Sequence, residues 1–220
     1  MGYYRVPHLK PKLNMHRIFL DKKTDAVKKT IAGTKRAALL EIDLPYNRIL
    51  RSIQNDEERE EFIKTEIIDK NYIVEGGIYA LAQPYKDISI HDLSAMAAAN
   101  GYTREQFAAL STSRGNNSEC CSKAEMMPYN LEVKSVSVRR LMDISNDESL
   151  LIKLGMETRV GGFRFWEQTP LRLSKAVAFC DLIAESFDDK MALYHDNYVV
   201  VVEYRLLDTL EVIARKGGRI

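Results

Sequence analysis

The residues of this 220-residue chain that can do chemistry are cations and amides. Ten Lys and Arg lie between Met1 and Arg36 against two acids, Asp21 and Asp25, so the first sixth of the chain carries +8. Within it, Lys28, Lys29, Lys35 and Arg36 are the candidates for phosphate contacts, which weaken with salt as counterions are released. Lys35 and Arg36 also follow a short helical run, where two cations complement the helix dipole with no ligand at all. Gln83 offers an amide that can both donate to and accept from a base edge. Tyr85 offers a ring on which an unstacked base can lie, although a packing role under the following helices suits it equally. Arg139 and Arg140 are adjacent on a strand and point to opposite faces, so only one, taken as Arg139, enters a given groove. Trp166, in Gly161-Gly162-Phe163-Arg164-Phe165-Trp166, is either part of a surface flap turned by the glycines or a hydrophobic plug.

Other chemistries find little support. Three cysteines, Cys120, Cys121 and Cys180, cannot all pair, and no CxxC or HxxxH spacing exists. Neither a metal nor a cofactor is expected, and His91 and His195 read as surface or structural residues. Residues Asp92 to Leu110 suggest a helix–turn–helix, but Arg104 is the one cation of the second helix, which is meagre for a recognition helix. With 45% hydrophobic and 29% charged residues and a formal charge of +1, composition favours neither nucleic acid nor its exclusion. The stretch from Glu41 to Lys70, nine acids against five bases, opposes the basic start and can give the surface two faces of opposite sign. The beginning of the chain has no apolar core of a secretion signal, and no apolar run is long enough to span a bilayer. A cytoplasmic location without membrane association is therefore expected, and the oligomeric state is left open.

The elements that must carry these residues follow from period and punctuation. Thr24 to Gly33 predicts a short helix capped by Thr24 and closed by Gly33. A strand is predicted from Ala37 to Leu44, and an acid-rich helix from Asn55 to Ile68. Tyr72 to Gln83 predicts strand, glycine turn, strand. Two helices follow, Asp92–Asn100 and Thr103–Leu110, the second with a Thr103/Gln106 capping box. Ser111 to Lys123 is expected to be a mobile polar loop. Leu131 to Val138 alternates as a half-exposed strand, and Ser145/Glu148 is expected as a capping box opening a helix that ends at Gly155. Apolar residues recur at helical spacing from Leu171 to Phe187, and Tyr198 to Val202 predicts a strand buried on both faces. The fold class is α+β, a mixed, mostly antiparallel barrel with peripheral helices.

Several segments in one order carry a resemblance. Met127-Pro128 followed by the strand Leu131–Val138, then Arg140-Leu141-Met142-Asp143-Ile144-Ser145, resembles the central stretch of phage-type ASCH proteins. Ala178-Phe179-Cys180-Asp181-Leu182, Asn197-Tyr198-Val199 and Val202-Glu203-Tyr204 are similar to the segments that follow in that family. Val74-Glu75-Gly76-Gly77-Ile78-Tyr79 resembles its aromatic turn, and Gly33-Thr34-Lys35 its Gly-x-Lys signature. The resemblance implies a PUA-like β-barrel over residues 24–207 with a helical insertion at about 85–124, a basic arm at 1–23 and a tail at 208–220. It also implies a cleft beside the Gly-x-Lys loop and binding of RNA, single-stranded nucleic acid or a modified base. Some members of the family are hydrolases of acylated cytidine or RNA, and Lys35 would then be the pivotal residue.

The departures from the pattern bear on activity. Lys35 is followed by Arg36-Ala37-Ala38-Leu39-Leu40, without the family's hydroxyl or carboxylate and arginine. Leu154 stands before Gly155 where the family has an acid, and Ala82-Gln83 replace an Arg-Glu pair. Hydrolysis needs one group to activate water and another to handle the leaving proton, and Lys35 alone does not do both. The expectation is a non-catalytic binding module. The alternatives are a hydrolase with a recruited acid, Glu41 or Glu203, and a protein-interaction module using the alanine-rich helices of the insertion.

Overall fold

The computed structural model describes residues 17–18, 20, 26–187 and 196–211. Most of the basic arm, the Thr24 cap and the end of the tail lie outside the described residues. Seven strands and eight α-helices are described: β1 (Arg17–Ile18), α1 (Ala26–Ile31), β2 (Ala37–Glu41), α2 (Leu44–Ser52), α3 (Asp56–Phe62), β3 (Ile78–Leu81), α4 (Ile90–Ala99), α5 (Arg104–Ala108), β4 (Asn130–Arg140), α6 (Leu141–Asn146), α7 (Glu148–Lys153), β5 (Glu157–Arg159), β6 (Gly162–Arg164), α8 (Lys175–Ser186) and β7 (Tyr198–Leu207). The fold is α+β, and its main sheet has the order β1-β3-β4-β7-β2. β3/β4 and β2/β7 pair antiparallel, while β1 runs parallel to β3. Among the described residues no pairing joins β1 to β2, and no closed barrel is seen.

The chain divides into two compact units. Among the described residues the first comprises 26–76, 133–187 and 196–204, and the second 17–18, 20, 77–132 and 205–211. The first unit's core is built on β7, whose Tyr198–Val202 are buried on both faces, as a run of β-branched residues in a covered strand requires. Against it pack Leu150, Leu151 and Leu154 of the α7 region, Phe179, Leu182 and Ile183 of α8, and Phe165 with Trp166. Asn47 of α2 is fully buried and ties the helix to β7: its amide accepts from Tyr198 N at 2.6 Å and donates to Tyr198 O at 3.1 Å and Ile42 O at 2.9 Å.

The second unit gathers Ala80, Tyr85, Leu93, Ala97, Leu110, Met126 and Met127. The segment expected as a mobile loop is instead a run of 3-10 turns at Ala109–Thr112, Arg114–Asn116 and Glu119–Cys121. Arg17 fastens it from β1, its guanidinium donating to the carbonyls of Glu119 (3.0 Å), Cys120 (3.1 Å) and Ser122. One guanidinium thus supplies the acceptors of a turn-rich segment with donors that a regular ladder would otherwise provide.

Helix ends follow local chemistry. Asn55 accepts from the amides of Glu57 and Glu58, and the Thr103/Gln106 capping box forms at α5. The acid-rich helix continues past Phe62 as a π-helical stretch, Ile63–Ile68. Three expectations shift. The cap predicted at Ser145 is at Asp147, which accepts from Leu150 N, so two short helices replace one. Leu171 to Leu173 lie before α8 rather than in it, because Arg172 pairs with Phe163 through two backbone bonds of 2.8 and 2.9 Å. Tyr72 to Glu75 do not form a strand; the chain there touches β4 through the bond from Gly76 N to Val133 O at 3.0 Å.

Candidate nucleic-acid interface

The first unit draws charged side chains together around Gly155. Residue 155 closes the turn after α7 with φ +97°, a conformation that glycine adopts without strain. A Cβ there would stand 3.5 Å from Lys29 Cδ and 3.6 Å from Lys35 Cβ, so both lysine stems lie across this turn. Lys35 is buried, 7% exposed, and its Nζ donates to Leu154 O at 2.8 Å. The end of α7 has carbonyls with no partner within the helix, and the lysine serves one of them. Lys29 Nζ donates to Gly155 O at 3.1 Å, to Phe165 O, and to Glu157 Oε1 at 2.8 Å. Its three donors are thereby spent.

Glu157 is the centre of this network. Besides Lys29, Arg159 (3.3 Å) and Arg164 (3.4 Å) reach the same carboxylate. The antiparallel register of β5 and β6 sets Glu157 opposite Arg164 across the hairpin. The hydrogen bond from Lys29, aided by the arginines, holds the carboxyl below the usual range. Three cations share one anion, leaving a local excess of two positive charges, and Arg159 is 60% exposed at its side chain.

The candidates from sequence separate into three groups. Lys29 and Lys35 meet at Gly155, and both are structural anchors with their ammonium groups turned to backbone carbonyls. Lys28, beside Lys29 on α1, and Arg36, at the turn before β2, are exposed. Arg139 donates to Asp147 at 2.8 Å, and its neighbour Arg140 bonds Tyr198 Oη at 2.8 Å with its guanidinium over the ring. Trp166, 7% exposed, is a plug in the first unit's core.

Gln83 and Tyr85 belong to the second unit. Tyr85 is 4% exposed, its hydroxyl accepts from Lys123 N at 2.7 Å, and burial pushes its pKa up. Gly115 leaves the space its ring fills, since a Cβ there would come within 2.6 Å of Tyr85 Cε2. The ring is covered rather than free for a base. Gln83 is 3% exposed, and its amide nitrogen has no partner.

No family model matches the chain, and neither a curated protein nor a solved structure matches it. The geometry therefore carries the functional reading. Among the described residues no group of three or more His, Cys, Asp or Glu is placed to hold a metal ion, and no helix is long and apolar enough to cross a membrane. Sequence reasoning missed Glu157, because an isolated acid carries no spacing signal. The Gly161-Gly162 turn was the available clue, since a hairpin folded there places residue 157 opposite residue 164.

Proposed function

We propose that this chain is a nucleic-acid-binding module of ASCH type, with a PUA-like β-fold, that holds phosphates through its first unit. The observation that carries the reading is the excess positive charge at Gly155, where Lys29, Arg159 and Arg164 share Glu157. Half-buried Lys29 and buried Lys35 brace the turn, and the exposed cations Lys28, Arg36 and Arg159 make the contacts. This division of labour lets phosphates bind by charge without desolvating an unpaired lysine.

A fluorescence-anisotropy titration against labelled RNA and DNA at two salt concentrations tests it. A Lys28→Ala/Arg36→Ala/Arg159→Ala variant should bind more weakly and lose about two to three from the slope of log affinity against log salt. The side chains removed are exposed, so the fold should persist. No binding to any nucleic acid at low salt overturns the proposal.

One observation favours a second reading, a hydrolase of modified nucleosides. Lys35 meets the end of α7, and Glu157 stands two residues past Gly155, close to where the resembled family carries its acid. The electrostatics oppose it. A carboxylate held low by Lys29 is ionised but weakly basic, a poor match for activating water near neutral pH. Turnover of acylated cytidine that Glu157→Gln abolishes would establish this reading instead.

A further inference from the structure

We infer that the β5–β6 hairpin is a wedge that inserts between base steps of duplex DNA, an inference that rests on the nucleic-acid reading above. The tip is aliphatic and open to solvent. Val160 is 102% exposed and Leu173 91%, and Leu171 is 38% exposed. A hairpin tip is the place for Asn, Asp or Gly, so a β-branched aliphatic residue there gains nothing from the turn itself.

The tip is also held firmly. Gly162, at φ +148°, lies so close to the strand segment at Arg172 that a Cβ would stand 2.3 Å from its carbonyl oxygen. Phe163 and Arg172 exchange both backbone bonds, and in this antiparallel register Leu173 falls beside Gly162. Leu171 Cδ1 lies 3.9 Å from the Cβ position of Gly161. Immediately after β6, Phe165 and Trp166 anchor the hairpin in the core. A wedge must arrive rigid, because a soft tip would fold away rather than part a base step.

Its surroundings select the ligand. Arg159, Arg164, Arg172, Lys175 and Lys29 face the acids Glu157, Asp181 and Glu148, again leaving two positive charges unbalanced. Lys175 further lies over the Phe163 ring at 5.5 Å. Cations around an apolar tip suit a polyanion whose phosphates flank the point of insertion. The aliphatic character decides between nucleic-acid classes. Single strands are held by stacking on flat rings, which Val160 and Leu173 lack, whereas aliphatic side chains are the wedges that unstack a duplex step and bend it.

The test compares the full chain with a Val160→Ser/Leu173→Ser variant on a duplex of about 20 base pairs carrying dyes at its ends, and on one of its strands alone. Preference for the duplex and a rise in end-to-end energy transfer on binding are expected. The variant should lose the bend and about tenfold or more in affinity while keeping the salt slope. Trp166 emission verifies that the variant is folded. Equal binding to both forms with the variant unchanged overturns the wedge and leaves the phosphate reading standing. Sedimentation with phosphatidylserine vesicles that the variant abolishes, without duplex bending, assigns the tip to a lipid surface and also overturns it. No binding to either nucleic acid at low salt overturns both readings.

Discussion

Replacing Glu157 by Gln should weaken the fold and strengthen anion binding at once, an opposition that a merely structural or merely surface residue would not produce. The carboxylate accepts from Lys29 at 2.8 Å, and the pair is largely shielded, with side-chain exposures of 12% for Lys29 and 28% for Glu157. A hydrogen bond between charged groups in such a setting is worth about 1.5–3 kcal/mol. The arginines add less, at the longer distances of 3.3 and 3.4 Å and with the Arg159 side chain 60% exposed. The loss expected for Glu157→Gln at pH 7 is therefore about 1.5–3 kcal/mol. The sign with pH follows from the depressed carboxyl. Its contribution is fully present above the ordinary value of 4.5 and disappears as pH falls through the lower folded-state value. Urea denaturation followed by the single Trp166, in the same core as this network, reads the effect directly. Wild type and variant should differ at pH 7 and converge in acid. The same variant leaves Lys29, Arg159 and Arg164 without their shared anion, so its affinity for nucleic acid at low salt should rise. A stability difference of the same size at pH 7 and in acid, or none at all, refutes the electrostatic account of the site.

Three further substitutions test the scaffold. Asn47→Ala removes three buried hydrogen bonds and leaves Tyr198 N, Tyr198 O and Ile42 O without that partner; a loss of about 3–5 kcal/mol in urea denaturation is expected. Gly162→Ala forces a Cβ to 2.3 Å from a backbone oxygen, so the hairpin must part from the segment at Arg172. A loss of about 2–4 kcal/mol and faster amide exchange at Phe163 and Arg172 should follow. Gly115→Ala drives a Cβ into the Tyr85 ring at 2.6 Å and against Cys121 O at 3.0 Å. It should cost about 1–3 kcal/mol in thermal unfolding and shift the near-ultraviolet signal of the tyrosines.

What the sequence made legible is local, and what it hid is the meeting of distant segments. β7 was readable because five consecutive apolar or aromatic residues, Tyr198 to Val202, have no exposed phase, and all five are buried. The Asn55 and Thr103 caps were readable because the backbone amides that donate to them lie two or three residues away. Leu171 and Leu173 deceived the helical period because an apolar side chain does not announce whether it faces core or solvent. The backbone bonds to Phe163 decide the conformation, and both leucines end up exposed. The candidate site divides along the same line. Lys35 was identified through its chain neighbours, Gly33 and Thr34, but its burial depends on Leu154, far along the chain. Glu157 passed unnoticed because its meaning comes from Lys29, another element altogether. A lysine read from sequence as a ligand-binding cation thus becomes a brace, and the ligand-facing charge passes to residues such as Arg159 that the brace positions. Burial separates the two roles: a lysine that has spent its donors on carbonyls and a carboxylate has none left for a phosphate, whereas an arginine 60% exposed and sharing its anion with two other cations keeps most of its own.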